Sequence, residues 1–485
     1  NNTLAVGRSN GTTTTAPESL HSKLIVSGGV ITNAGYISLG DNGTLGLPGF
    51  NAHPEMEMSG GTAYVVNLNI GNSSGSRTEL NMSGGTMIVS GMACFAMASN
   101  TVATGTLSGD ALLQTAPIVD VAIPYGGAFA TATLYLNGGT LQTRNIVRNL
   151  NSGSGAVYFN GGKLQPNTSG QTLQNMSAVY VSTNGAFFDT SLADYTVRQD
   201  LLHDPVLGAA DGGLTKTGTG TLTLSGYGST YDGPITVSGG TLCVAGALPA
   251  ASSVTVGTDG EFLVGGSATQ TVAAASLTLD GSATLSFAFT LDGASNDQLT
   301  LANPPALAGK RIGLYQLNTR LPFTKNGTYT LLTYSGADPD TTGLAVAAPA
   351  YGKTYTFAAS GGTLTVTIAS DTATASIWNV DAPGDWSTGA NWSVAPASAA
   401  GTHVRFDDAI TSPVTVTTAG ETVGSIYFNN PNTYTLGGSG LTLDGDIAPA
   451  AVTVETGVHT LAAPLILGSD ALLDIAPSSL LNLGP

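Results

Sequence analysis

One phrase returns along the first half of this chain, an alternating triplet closed by a small polar residue and two glycines. It reads Leu24-Ile25-Val26-Ser27-Gly28-Gly29, then Met56-Glu57-Met58-Ser59-Gly60-Gly61, then Leu80-Asn81-Met82-Ser83-Gly84-Gly85. It recurs as Leu134-Tyr135-Leu136-Asn137-Gly138-Gly139, Val157-Tyr158-Phe159-Asn160-Gly161-Gly162 and Ile235-Thr236-Val237-Ser238-Gly239-Gly240, with a looser copy at Leu107-Ser108-Gly109. The spacing settles near 24 residues, and a fixed period of that size marks a repeat architecture whose units bury their apolar face only by stacking. A second phrase, Leu39-Gly40-Asp41-Asn42-Gly43, is echoed by Ile70-Gly71-Asn72-Ser73-Ser74-Gly75 and Val6-Gly7-Arg8-Ser9-Asn10-Gly11, so each period holds two or three short strands closed by glycine turns.

Side chains alternate across a strand, which assigns one face to Leu24/Val26, Met56/Met58, Leu80/Met82, Leu134/Leu136 and Val157/Phe159. Those columns are expected to point inward, with Ile25, Glu57, Asn81, Tyr135 and Tyr158 outward. The fold class predicted is all-β: a right-handed parallel β-helix or solenoid with rungs of about 24 residues, stacked about 4.8 Å apart and continuing into a second β-rich module. A string of β-sandwiches would also show short alternating strands, but sandwiches do not repeat one phrase every 24 residues. Gly-Gly suits the corners, where the chain needs positive φ.

Composition narrows the function. Only 9% of residues are charged, and 14 basic against 31 acidic residues leave a net charge of -17, which repels phosphate backbones and argues against a nucleic-acid partner. No run of 18 apolar residues suits a membrane-spanning segment. Cys94 and Cys243 sit in apolar stretches and read as buried free thiols. The chain opens on Asn1 with no initiator Met, basic region or apolar signal core, so either a targeting segment is expected to have been removed or these residues are a piece of something longer, and it ends on Leu483-Gly484-Pro485. Leu4 and Val6 at one end, and Leu481 and Leu483 at the other, are expected to be covered by a neighbouring subunit or by further modules of a longer polypeptide.

Residues 211–246 contain Leu214-Thr215-Lys216-Thr217-Gly218-Thr219-Gly220-Thr221-Leu222-Thr223-Leu224-Ser225-Gly226, a Tyr231-Asp232-Gly233 turn and a Gly239-Gly240-Thr241-Leu242 strand. This segment resembles the autotransporter-associated β-strand repeat, and residues 134–189 and 277–334 resemble the segments that flank such repeats. The resemblance suggests four parts: β-helix rungs over 1–210, the repeat over 211–270, a module-closing segment over 271–372 and the opening of a second module over 373–485. It implies an exported bacterial surface protein and carries no catalytic residues. The family's C-terminal membrane β-barrel, with ten-residue strands and aromatic girdles, is absent from this sequence.

Glu55 and Glu57 have a spacing that glycoside hydrolysis permits, but both sit on the outer face, where a charge ladder with Lys23 and Glu79 accounts for them. The adjacent Asp407 and Asp408 point to opposite faces. His21, His53, His203, His403 and His459 stand isolated, with no metal-ligand spacing, so no metal or cofactor is expected. Calcium at Asp292, Asn296 and Asp297, or at Asp338 and Asp340, competes with ordinary Asx turns. Trp378, Trp386 and Trp392 are expected to pack a core. Tyr135 above Tyr158 forms an outward aromatic column, a candidate contact for a partner or a glycan. The leading functional reading is a structural, self-associating extracellular protein: a rod, stalk, sheath or fibre building block. The alternatives are an adhesin for glycans or a host surface and, behind it, a polysaccharide-active enzyme.

Overall fold

The computed structural model describes residues 3–6, 21–40, 53–118, 120–124, 128–149, 153–249, 251–350, 352–370, 375–446 and 449–484. Strands dominate, and the single helical element among the described residues is the short 3-10 turn Gly389–Asn391. The chain is a parallel β-solenoid of about 17 turns with rungs of about 25 residues. No described helix is long and apolar enough to cross a membrane. Two compact units are formed. The first comprises Asn1–Ser286, Gln298–Lys310 and Thr333–Pro339, and the second Phe287–Asp297, Arg311–Leu332 and Asp340–Pro485.

In the first unit the repeated phrase forms one wall. Met56 pairs in parallel register with Leu80, Leu80 with Gly105, Gly105 with Leu134, Leu134 with Val157 and Val157 with Val179. Two positions on, Met58, Met82, Leu107, Leu136, Phe159 and Val181 make a second inward column. All are buried, each apolar side chain contributing roughly 1.5–3 kcal/mol, so the alternation read from the sequence is the core itself. Gly105 breaks the apolar column because the Phe95 ring, from the third strand of the preceding turn, already fills its place: a Cβ there would lie 2.6 Å from that ring. From residue 214 the turns tighten, with Ile235 pairing Leu214 and Leu242 pairing Leu222.

The Gly-Gly corners have a double cause. Gly61 and Gly85 hold φ of +78° and +77°, and a Cβ on Gly85 would sit 2.7 Å from the carbonyl carbon of Gly60 one rung away. At these two corners, rungs spaced by one strand separation leave no room for a side chain.

The second unit has three walls of parallel strands. The first runs Ser376–Ile377, His403–Phe406, Ser425–Asn429, Ala450–Thr456 and Ala471–Ile475. The second runs Gly384–Asp385, Val414–Thr418, Tyr434–Gly438, Val458–Leu461 and Leu480–Leu483, and Glu421–Val423, Leu441–Leu443 and Leu465–Leu467 complete the third. Trp378, Trp386 and Trp392 are buried together against Phe406, with edge-to-face contacts of 5.2 Å and 4.9 Å from Trp392 to the other two. They pack the core where the second unit's walls begin. Lys353–Ser360 and Thr363–Ser370 form an antiparallel hairpin in the same unit. Cys94 and Cys243 are buried and outside any disulfide, Cys243 donating to the Gly265 carbonyl at 3.0 Å, and burial pushes the Cys94 thiol up to about 12.

Candidate functional site

The outer face of the repeated wall carries a ladder of three tyrosines. Tyr135 stacks on Tyr158 with ring centroids 4.9 Å apart, and Tyr158 meets Tyr180 at 4.7 Å. The rings are half-buried because they cover one another, leaving edges and hydroxyls outward. Tyr180 escaped the sequence reading because its rung lacks the Gly-Gly phrase; the alternation Val179-Tyr180-Val181 was the available signal.

The same outward column runs back through Thr106 and Asn81 to Glu57 and Ile25. A groove of about 390 Å3 opens there, lined in part by Glu57, Ser59, Asn81, Ser83, Thr106 and Ser108. Its acids are engaged. Lys23 bonds Glu57 and lies 3.4 Å from Glu55, while Asn81 donates to Glu55 at 3.2 Å and to Glu79 at 3.4 Å. The hydrogen bond from Lys23 holds the Glu57 carboxyl below its usual range. Glu55 and Glu57 thus both take part in a cross-rung ladder with Lys23 and Asn81.

The acidic turns considered for calcium are tied to their own loops. Asp292 accepts the Ala294 N–H at 3.0 Å, and the wholly buried Asp297 accepts the Ala288 N–H at 2.9 Å. The Asn296 amide donates to the carbonyls of Asp297 and Thr330, which turns its nitrogen inward. Asp338 takes the Tyr334 hydroxyl and Asp340 the Thr342 N–H. Near the ends, Val6 is buried and Leu4 exposed on a strand paired with residues 36–39, while Leu481 is half-buried and Leu483 exposed on a strand paired with Val458–Leu461.

The histidines require a correction: they are not isolated. His21 stacks on His53 one rung on, at 4.9 Å. His459 is wholly buried, and His403 bonds the Ser425 hydroxyl at 2.7 Å. His203 meets two aspartates, with Nδ1 3.0 Å from Asp211 Oδ2 and 3.2 Å from Asp232 Oδ1. Their spacing in sequence was readable in retrospect. Asp211 stands three residues before Leu214, and Asp232 three before Ile235, which pairs with Leu214, so the two occupy equivalent places on successive turns. Asp211 leads in raising the His203 pKa, since its carboxylate accepts from the ring.

The strand that follows Asp211, Leu214–Thr217, carries a wholly buried lysine. Lys216 occupies an inward position between Phe188 and Val237, and among the described residues no carboxylate bonds it. Its Nζ donates to the carbonyls of Thr217, Gly218 and Gly239 at 2.9, 2.8 and 2.9 Å, so all three of its donors end on backbone oxygens at a glycine corner. Burial pushes its pKa down to about 8.

Residues 214–244, which contain that lysine, match the family model of the passenger-associated-transport-repeat. The chain carries a passenger-type repeat. Within it, Leu214–Thr217 and Thr221–Leu224 form one turn and Ile235–Val237 and Gly240–Val244 the next, and Lys216 fastens the corner of the first to Gly239 of the second. No curated protein matches the chain. The passenger repeat and the β-solenoid together fit an extracellular surface protein.

Proposed function

We propose that this protein is structural material of a bacterial cell surface, a building block of a stalk, sheath or fibre that associates with itself. The observation that carries the reading is the unbroken register of the inward columns from Met56 to Val179, which spends rung after rung on a stiff wall. The low share of charged residues, 9%, supports association, and pairs such as Lys23 with Glu57 neutralise some of the charges present, while the net charge of -17 opposes it and has to be overcome by contacts between copies. Sedimentation velocity of the purified chain over a hundredfold concentration range tests this reading. Growth of species larger than one chain is expected, and a single monomeric boundary throughout contradicts self-association.

A second reading, an adhesin for a glycan, is favoured by one feature alone: the tyrosine ladder in line with the polar groove at Glu57 and Asn81. A glycan array in which Tyr135→Ala and Tyr158→Ala reduce a wild-type signal supports it. An array without signal removes it.

A further inference from the structure

We infer that His203, Asp211 and Asp232 form a binding site for a divalent transition metal of the zinc class, one that staples two successive turns at the start of the passenger repeat. One ligand atom from each residue lies within 4.8 Å of the other two. The separations of 3.0 and 3.2 Å from Nδ1 to the two carboxylate oxygens approach the roughly 3.3 Å between neighbouring ligands around tetrahedral zinc with bonds near 2.05 Å. An imidazole with two carboxylates suits zinc and its neighbours, whereas calcium prefers an all-oxygen shell.

The ligands are held in place before any metal arrives. Asp211 has no exposed side-chain surface, and its Oδ1 accepts the N–H groups of Gly213 and Gly233 at 2.9 and 3.0 Å, which fixes Oδ2 on the His203 side. Asp232 Oδ1 is fixed in turn by the Asp211 N–H at 2.8 Å. Such outer partners orient metal ligands and strengthen their binding. His203 and Asp232 remain partly exposed, at 26% and 46% of their side-chain surface, giving an ion a way in and leaving a coordination position for water. A second polar group lies close by: the buried Tyr231 hydroxyl makes no hydrogen bond and feels the Asp211 charge. Nδ1 faces two acceptors and so carries a proton without metal. On binding, that proton moves to Nε2 of a neutral ring or leaves to solvent from a charged one, and the metal takes its place between the same two oxygens.

This inference is independent of the structural role proposed above. Its test is calorimetric titration of the full chain with zinc chloride, and cobalt(II) chloride followed by visible absorption, for wild type, His203→Gln, Asp232→Asn and, as a control at the other histidine pair, His21→Gln. One zinc per chain is expected, with affinity at least about tenfold weaker in His203→Gln and Asp232→Asn and unchanged in His21→Gln. Circular dichroism checks that each variant is folded. If His203→Gln does not fold, Asp232→Asn decides, because its side chain is the most exposed of the three. No zinc uptake by the wild type, uptake undiminished in Asp232→Asn, or uptake lost only in His21→Gln overturns the site.

Discussion

The ammonium of Lys216 reaches across one rung to the carbonyl of Gly239, 2.9 Å away, and does so from a fully buried inward position. A charge in that place is tolerated because three carbonyls surround it. Lys216→Met keeps the volume and removes the donors that reach the Gly218 and Gly239 carbonyls, while the Thr217 carbonyl keeps the Thr190 N–H at 3.0 Å. Relief from burying a charge offsets part of that loss, and a net destabilisation of about 1–3 kcal/mol is expected in chemical denaturation.

The wall's register predicts opposite responses at adjacent positions. Leu136→Asp places an unpaired charge in the inward column and should cost several kcal/mol, with a large fall in melting temperature. Tyr135→Ala, one residue earlier and facing outward, removes only its stacking on Tyr158 and should cost about 1 kcal/mol. Equal losses would contradict the assignment of faces.

Corner glycines separate into two kinds. Gly85 and Gly138 both have positive φ, but a Cβ on Gly85 would press to 2.7 Å from the Gly60 carbonyl carbon, whereas at Gly138 the nearest atom lies 3.5 Å off. Gly138→Ala should cost about 1–2 kcal/mol for its backbone conformation alone. Gly85→Ala should cost at least about 1 kcal/mol more, because backbone must move as well. Urea midpoints of the two variants give the comparison.

How much of this was legible beforehand follows from what repeats. The columns through Leu80, Leu134 and Val157 were readable because stacking forces each rung to present an apolar residue at the same place. Gly105 and Tyr180 departed from the phrase and became intelligible only with Phe95 and Tyr158 as neighbours. The cluster at His203 was hidden for another reason: its ligands lie 8 and 29 positions from the histidine, and only the shorter turn that begins near residue 214 brings Asp232 beside Asp211.

Acid should weaken the second unit through His459. The ring is wholly buried, its Nδ1 accepts the Tyr434 N–H at 3.1 Å and its Nε2 donates to the Thr456 carbonyl at 2.8 Å, and the first of these contacts requires the neutral ring. Desolvation holds its pKa below the usual 6.5. The unfolded chain therefore takes up a proton near pH 6.5 that the folded chain refuses, and stability falls as pH drops below that value until the folded pKa is reached. All three tryptophans, Trp378, Trp386 and Trp392, lie in this unit, so their fluorescence reports its unfolding selectively. The urea midpoint read by fluorescence should decline from pH 7 to pH 5 in wild type and less steeply in His459→Gln.

The proposed role as structural material outside the cell is tested most directly by electron cryotomography of cells that make the protein, with an antibody to it marking its position. Label along continuous surface layers or fibres, with a strand spacing near 4.8 Å in diffraction from the isolated material, is the expected result. Label found only on dispersed single chains, with no ordered surface material, would contradict the account.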